Sequence, residues 1–576
     1  MSRGRPAASA CGSQQPIMVG TTRRTGFTLS LCMVYFVFLC GAVVTFMQWE
    51  PFAPKVAVNL TPRPGVIKEA KRYSSKDIAI LLQRFLPEKN KTNRTLPLTS
   101  ALTSTYRLVD QTLRVGDTAH FVIQAKDSDG RNKTIGGDFW FTVLTSVEDD
   151  HPTAGGRTAG SVVDHNNGTY SVSFYVGWPG IAYVHMTLAA PSEATKWLRE
   201  QYWPVEKRIF WRGTFRNKTK PGQKPLSHST LCYLMRNASS TDDCVADHNP
   251  NATGLTALYC ERPKAPLTCD DLHSLALDVK ATGQRTSQIV GKASKLFVGV
   301  NFMRRLVHGP ISVKIALSPN RTESRAPVCK PDSRHLVNDG FWLNKTWHHL
   351  QCQVYKWDDT KAVGECLRHK HVYIIADSTV RSWYHEITRK LGLPWQRLGS
   401  RVVKNNYYEE LDLNMTYRFH PRVITQARVT LSMTPYEVDV LFNLPTKDCG
   451  RSIFVFSSWA HFTQWTRDSY VERALLLRDA ILRFRERCPD VPIVMKGAHP
   501  REHKGTQMRV VGSDYTLWAL GRTLRAIFHG TGVYFFDMWQ MNVAYGPSNI
   551  HMPTDVISEE VNWFLTYVCG FKNSTT

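Results

Sequence analysis

The feature that most restricts this chain is a run of 22 residues, Gly26 to Met47, without a formal charge. It carries Leu29, Leu31, Met33, Val34, Phe36, Val37, Phe38, Leu39, Val43, Val44 and Phe46. At about 1.5 Å of rise per helical residue, such a run crosses a hydrocarbon core of about 30 Å. Arg3, Arg5, Arg23 and Arg24 precede it with no acid among them. Residues 1–25 are therefore expected as a cytosolic tail, 26–47 as a transmembrane signal anchor and everything beyond as lumenal. This is the topology of a single-pass type II membrane protein of the Golgi or secretory pathway. The rival is a cleaved signal peptide with Gly41 and Ala42 at the cleavage site, which makes the chain secreted.

Two further patterns place the remainder in an oxidising lumen. Acceptor triplets for N-linked glycans begin at Asn59, Asn90, Asn93, Asn132, Asn167, Asn217, Asn237, Asn251, Asn320, Asn344, Asn414 and Asn573, all beyond the apolar run. Cys11, Cys32 and Cys40 lie in or before that run. Cys232, Cys244, Cys260, Cys269, Cys329, Cys352, Cys366, Cys449, Cys488 and Cys569 lie after it, an even number that permits disulfides in a pairing the sequence leaves open. A zinc site built on the first four is the competing reading, but their spacing lacks a close CxxC knuckle.

The net charge of +24 raises the question of nucleic acid. Its Lys and Arg residues are dispersed, and neither a groove-reading motif nor a basic-aromatic module accompanies them, so no nucleic-acid partner is expected. Acidic glycans or anionic surfaces fit a diffuse basic face equally well. With 576 residues, the chain exceeds a single hydrophobic core and must divide.

The division follows changes of pattern. Residues 48–98, with Pro51, Pro54, Pro62 and Pro64 and a short amphipathic stretch around Ile78 to Phe85, read as a stem with a docking helix. Residues 99–194 hold period-two runs at Thr118 to Gln124, Asp138 to Thr145, Thr169 to Tyr175 and Ala182 to Thr187, separated by turn formers. They predict an antiparallel β-sandwich. Residues 195–330 form a cysteine-containing connection. From 331 to 576 apolar strands alternate with helices: a strand at His371 to Asp377, a helix at Thr379 to Leu391, a strand at Ser452 to Ser458, and a long helix at Arg467 to Arg487. Val491 to Lys496, Asp514 to Phe528, Val533 to Trp539 and Asp555 to Val568 continue the order, which specifies α/β layering around a mostly parallel sheet.

In such sheets ligands collect at the carboxyl ends of strands, and three places there carry chemistry. The strand Val372 to Ala376 ends in Asp377-Ser378-Thr379, putting the Ser378 hydroxyl at a helix amino terminus, where backbone N–H groups can face an oxyanion. An ordinary helix cap is the structural alternative. His461, in Trp459-Ala460-His461-Phe462, can donate or carry a proton, and as a lone histidine can equally be structural. His551, on the loop after the last strand, can act as general base toward Ser378.

The order Gly340-Phe341-Trp342, Ala376-Asp377-Ser378-Thr379-Val380-Arg381-Ser382-Trp383, Trp459-Ala460-His461-Phe462, His551 and Cys569 resembles the PC-esterase domain of the NXPE family. Upstream, the run Asp164 to Val172 and Trp178-Pro179-Gly180 resemble an immunoglobulin-like strand pair of the neurexophilin and filamin type. The implied chain is multidomain, with an N-terminal transmembrane helix, an immunoglobulin/filamin-like β-sandwich and a C-terminal α/β SGNH-hydrolase-like (PC-esterase) domain. The resemblance implies a Ser378 nucleophile and a His551 base that transfer or hydrolyse O-acyl groups on a glycan or sialoglycan, supported by Asp377, Thr379, Arg381 and His461, with no metal and no cofactor. The other reading it allows is a non-catalytic neurexophilin-like protein that binds a neurexin-like cell-surface receptor. Three positions depart from the family pattern. Ala376 stands where a glycine precedes Asp-Ser, Gln540 where a second acid is common, and Ser548 where an aspartate precedes the base by three. Asp537 is the nearest substitute for that aspartate.

Overall fold

The computed structural model describes residues 97–570 apart from 149–154, 218–223, 237–241, 320–325, 332–336, 394–401, 422–428, 504–508, 511 and 547–548, together with Tyr73, Lys76 and Ile78. The expected tail and anchor (1–25 and 26–47) lie outside these residues, as does Ser548. Among the described residues no helix is long and apolar enough to cross a membrane.

Alternating apolar residues build two facing sheets in the first folded region. In Thr169–Tyr175 every second side chain is buried, the pattern of a strand with one face on a core. It lies between Thr118–Gln124 and Ser161–Asp164 in a four-stranded sheet completed by Thr105–Leu108. The opposing sheet has Phe139–Thr145 and Gly180–Ala190 at its centre. Phe121, Phe174, Trp140, Leu144, Val184 and Met186 are buried between the two. Gly340–Leu343 and Thr346–His349, which the sequence pattern groups with the C-terminal domain, instead extend this second sheet by pairing with Gly156–Ala159.

The connecting region has its own architecture. Trp211–Arg216, Ser227–Arg236, Cys244–Asp247, Thr256–Cys260 and Leu272–Leu277 form an antiparallel sheet, closed at one edge by Val429–Thr430. The ten cysteines from Cys232 onward are all paired: Cys232–Cys260, Cys244–Cys269, Cys329–Cys352, Cys366–Cys569 and Cys449–Cys488. The first two pairs replace the zinc alternative with disulfides. Cys232 and Cys260 sit directly opposite each other on neighbouring strands, so the covalent link fixes their register. From the segment ahead of the sandwich, the Tyr73 hydroxyl donates to Asp479 Oδ2 at 2.6 Å, and Ile78 is buried.

The C-terminal domain is layered as its alternating pattern requires. Its strands are β1 His371–Ala376, β2 Val403–Tyr408, β3 Leu413–Phe419, β4 Ser452–Phe456, β5 Ile493–Lys496 and β6 Tyr534–Phe536. Its principal helices are α1 Thr360–Leu367, α2 Ser378–Lys390, α3 Glu437–Asn443, α4 Arg467–Arg487, α5 Asp514–Phe528, α6 Trp539–Tyr545 and α7 Thr554–Cys569. The sheet order is β2-β3-β1-β4-β5-β6, parallel throughout except for the antiparallel edge strand β2. Helix α4 buries Tyr470, Ala474, Leu477, Ile481 and Phe484, the face that the three- and four-residue spacing marks.

The first parallel strand, β1, has β3 on one side and β4 on the other. The chain therefore reverses its direction of winding at β1, which opens a crevice at that strand's carboxyl end. The sandwich is fastened to this domain through α6. Arg157, fully buried, donates from Nε to the Ala544 carbonyl at 2.6 Å, and Trp342 Nε1 donates to the Met541 carbonyl at 2.8 Å.

Candidate active site

Ser378 occupies the crevice at the switch point as the first residue of α2. Asp377 caps that helix: its Oδ1 accepts from the Thr379 amide at 2.7 Å and from the Thr379 hydroxyl at 2.6 Å. The Ser457 hydroxyl, just past β4, donates to Asp377 Oδ2 at 3.4 Å, and the Tyr417 hydroxyl on β3 donates to the Asp377 carbonyl at 3.1 Å. Asp377 is thus held from its own turn and from two neighbouring strands, and it orients the turn that presents Ser378. Ala376 closes β1 with strand pairing to Phe419 and has no positive φ, so its methyl imposes no conformational strain there.

His551 comes from the loop between α6 and α7. The loop leaves α6 through Gly546, whose φ of 87° suits a residue without a side chain. The Tyr545 hydroxyl donates to Asp555 Oδ2 at 2.9 Å, drawing the loop's two ends together. Ile550 and Met552, on either side of His551, are buried, and the His551 amide donates to Asn549 Oδ1 at 3.0 Å. With its neighbours anchored in the core, the imidazole is directed into the crevice. Its Nε2 lies 2.8 Å from Ser378 Oγ. Burial lowers the His551 pKa below the ordinary imidazole value; the Arg381 and Arg501 charges act in the same direction, while Asp377 and Glu502 oppose them. A neutral ring in its Nδ1-protonated tautomer accepts the Ser378 proton at Nε2, the arrangement of a base and its nucleophile.

The other residues singled out by sequence occupy distinct places. Arg381 lies one turn after Ser378 on the same helix, and its charge reaches both Tyr417 and His551. Thr379 spends both its amide and its hydroxyl on Asp377, so it supports the turn and does not supply an outward donor. His461 is buried against the ring of Phe419, 5.0 Å between centroids, in an aromatic cluster with His420. Asp537 belongs to another cluster: its Oδ2 accepts from Arg525 Nη1 at 2.7 Å, and its Oδ1 accepts from the Trp539 amide at 3.2 Å. Among the charges acting on His551, those of Asp377 and Glu502 favour its protonated form. Gln540 joins the two domains, accepting from the Asp339 amide at 2.9 Å and donating to the Val337 carbonyl at 3.1 Å.

A model of the C-terminal domain of NXPE family member 4-like proteins matches residues 347–569 of this chain. Residues 347–569 are thus a C-terminal domain of the NXPE family type. The matched segment spans the whole parallel sheet and both residues of the 2.8 Å contact. At the carboxyl end of β5 stand further residues that the sequence reading did not single out. Lys496 ends β5 with its side chain wholly buried, its Nζ 3.6 Å from Glu560 Oε2 and 5.7 Å from the centroid of Trp459. His499 packs against Trp459 at 4.7 Å, and its Nδ1 lies 2.9 Å from the Pro500 carbonyl, to which the neutral ring donates. Arg501 and Glu502 follow. A polar run directly after the apolar strand Val491 to Lys496 was the available signal, since ligand-facing groups gather at the carboxyl ends of parallel strands. Among the described residues no group of His, Cys, Asp or Glu side chains stands where it could hold a metal ion.

Proposed function

We propose that this chain transfers or hydrolyses O-acyl groups on glycans, sialoglycans among them, with Ser378 as nucleophile and His551 as base. The observation that carries this reading is the 2.8 Å separation of Ser378 Oγ and His551 Nε2 at the switch point of the sheet. His551 takes the hydroxyl proton as Oγ attacks the acyl carbonyl, and the resulting imidazolium returns a proton to the departing alcohol. The acyl-serine is then discharged onto a sugar hydroxyl in transfer or onto water in hydrolysis. The helix amino terminus at Ser378 and the nearby Arg381 favour negative charge developing on the carbonyl oxygen. The Arg-flanked apolar run fits a type II anchor that holds the domain in the Golgi or secretory lumen, and a cleaved signal gives the same domain in secreted form.

A fluorophosphonate probe tests the nucleophile. Wild-type chain becomes labelled and Ser378→Ala does not; equal labelling of the two removes Ser378 from the role. The second reading, a neurexophilin-like binding protein that engages a neurexin-like receptor, draws on Ser548 at the position of the usual aspartate. It requires receptor binding that Ser378→Ala leaves intact.

A further inference from the structure

Between Asp278 and Glu323 the chain runs for 44 residues without an acid, although it holds 48 acids in all, and the same stretch carries eight Lys and Arg residues. The acid that borders it, Asp278, is already engaged by Arg212. Its first element, the helix Val279–Val290, buries Thr282, Thr286 and Val290, one stripe at a spacing of four, and leaves Lys280 exposed. The short helix Gly291–Phe297 follows, with Lys292 and Lys295 exposed and Phe297 wholly buried at its end. Arg304 and Arg305 then pair with Leu188 and Thr187 on the sandwich strand Gly180–Ala190, and Lys314 pairs with Ile181 on that same strand. Thr187 and Ile181 are an even number of residues apart, so Arg305 and Lys314 share one face of the sheet, about 20 Å from each other.

These six cations are exposed, and none of them makes an ion pair among the described residues. Arg305 Nη2 donates to the Val184 carbonyl at 2.9 Å, which orients the side chain and leaves its charge unbalanced. Like charges gathered on one surface repel one another, and an anionic partner that spans them relieves the repulsion.

The surface adjoins the candidate active site. Arg509, in the loop between β5 and α5, donates from Nη1 to the Phe297 carbonyl at 3.1 Å and from Nε to the His503 carbonyl at 3.2 Å. Its guanidinium lies 5.4 Å from the centroid of Phe302, whose ring is 6.4 Å from that of His503. The basic stretch is therefore packed on the loop that opens at the carboxyl end of β5, the end of the sheet at which Ser378 and His551 meet.

Five disulfides accord with an oxidising compartment, where two kinds of partner present repeated negative charge over this length: an anionic glycan and a membrane. Anionic lipid is concentrated in the cytoplasmic leaflet instead. The exposed apolar residues of the stretch are aliphatic, and its two aromatic rings, Phe297 and Phe302, are buried, so it lacks the aromatic anchors of a membrane-surface segment. We propose that Lys280, Lys292, Lys295, Arg304, Arg305 and Lys314 form a docking surface for a polyanionic glycan, sulfated or sialylated, one of whose sugars then reaches the crevice. Only that last step rests on the reading of Ser378 and His551 as nucleophile and base.

The test measures binding of the intact full chain, at about 0.15 M salt, to immobilised dextran sulfate, to polysialic acid and to vesicles containing phosphatidylserine. The chain binds at least one of the two glycans, and which one it binds names the source of the negative charge. Lys292→Glu with Lys295→Glu, and separately Arg304→Glu with Lys314→Glu, each weaken that binding about tenfold. Lys447→Glu with Arg483→Glu, at exposed cations outside the stretch, changes the net charge equally and leaves binding within about twofold of wild type. Thermal melting confirms that all three variants fold. Phosphonate labelling of Ser378 is unchanged in them, so loss of docking and loss of the nucleophile are read separately. A stretch pair that weakens binding no more than the control overturns the proposal, as does binding to vesicles and to neither glycan.

Discussion

Trp383 Nε1 donates to Glu560 Oε2 at 2.6 Å, joining the helix that begins with Ser378 to the helix that follows His551. Trp383 is fully buried, packed on Phe536 and Phe564, with ring centroids 5.8 and 5.6 Å away. Glu560 is also fully buried, with Lys496 Nζ 3.6 Å and Asn542 Nδ2 3.4 Å from its two oxygens. The elements that carry the nucleophile and the base are thus tied to each other by one indole–carboxylate bond.

Trp383→Phe keeps most of the apolar packing and removes the donor, leaving a buried carboxylate short of a partner. The expected cost is about 1–3 kcal/mol of folding stability, with slower phosphonate labelling of Ser378 as α2 and α7 lose their common tie. Chemical denaturation and labelling kinetics measure the two effects. Unchanged stability and rate would show that the packing alone sets the geometry.

The seam between sandwich and α/β domain contains a pair of acids whose proton makes stability depend on pH. Asp339 is buried, and burial first and the Asp537 charge second push its pKa up to about 8, against the opposing influence of Arg525, Gln351 and Arg522. The unfolded carboxyl titrates near about 3.9. Between these values the folded chain holds a proton that the unfolded chain has lost, so this group's contribution to stability falls as pH rises from about 4 to about 8. Asp339→Asn keeps the shape without the titration and flattens that part of the profile. Denaturation midpoints of both proteins across this range decide the matter: parallel profiles would remove Asp339 as the source.

Of the described glycan acceptors, Asn414 is set apart by its place in the sheet. It lies within β3, paired with His371 on one side and Tyr407 on the other, with Oδ1 buried. Asn132, Asn167, Asn251 and Asn344 are exposed. The Asn414 side chain projects from one face of the sheet with its amide oxygen covered, leaving no room for a glycan, so folded protein carries that side chain unmodified. Glycopeptide mapping of protein from a glycosylating host should find modification among the exposed four and none at Asn414. A glycan on Asn414 in folded material would contradict the strand placement.

The long periodic elements are legible in the sequence because their burial pattern is local. The helix Arg467–Arg487 and the strands Thr118–Gln124 and Thr169–Tyr175 coincide with the runs marked by spacing alone. β3 carries the same period-two mark, Leu413, Met415, Tyr417 and Phe419 being buried and alternating with polar residues, so it too is written locally in the sequence. The sheet of residues 211–277 reads in sequence only as a cysteine-containing connection, since antiparallel partners far apart in the chain leave no local periodic mark beyond their own short strands.

By itself, the sequence determined the order of elements and the Asp-Ser turn at a strand end, because propensity, capping and burial period act over a few residues. Only the tertiary structure decided which charges meet His551. Asp537, directly after β6, is taken up by Arg525 on α5, while the charges of Asp377, at the head of α2, and Glu502, after β5, act on His551. Electrostatic partnership falls off with distance in space, and distance in space between residues on different strands is set by sheet order, which no local pattern encodes.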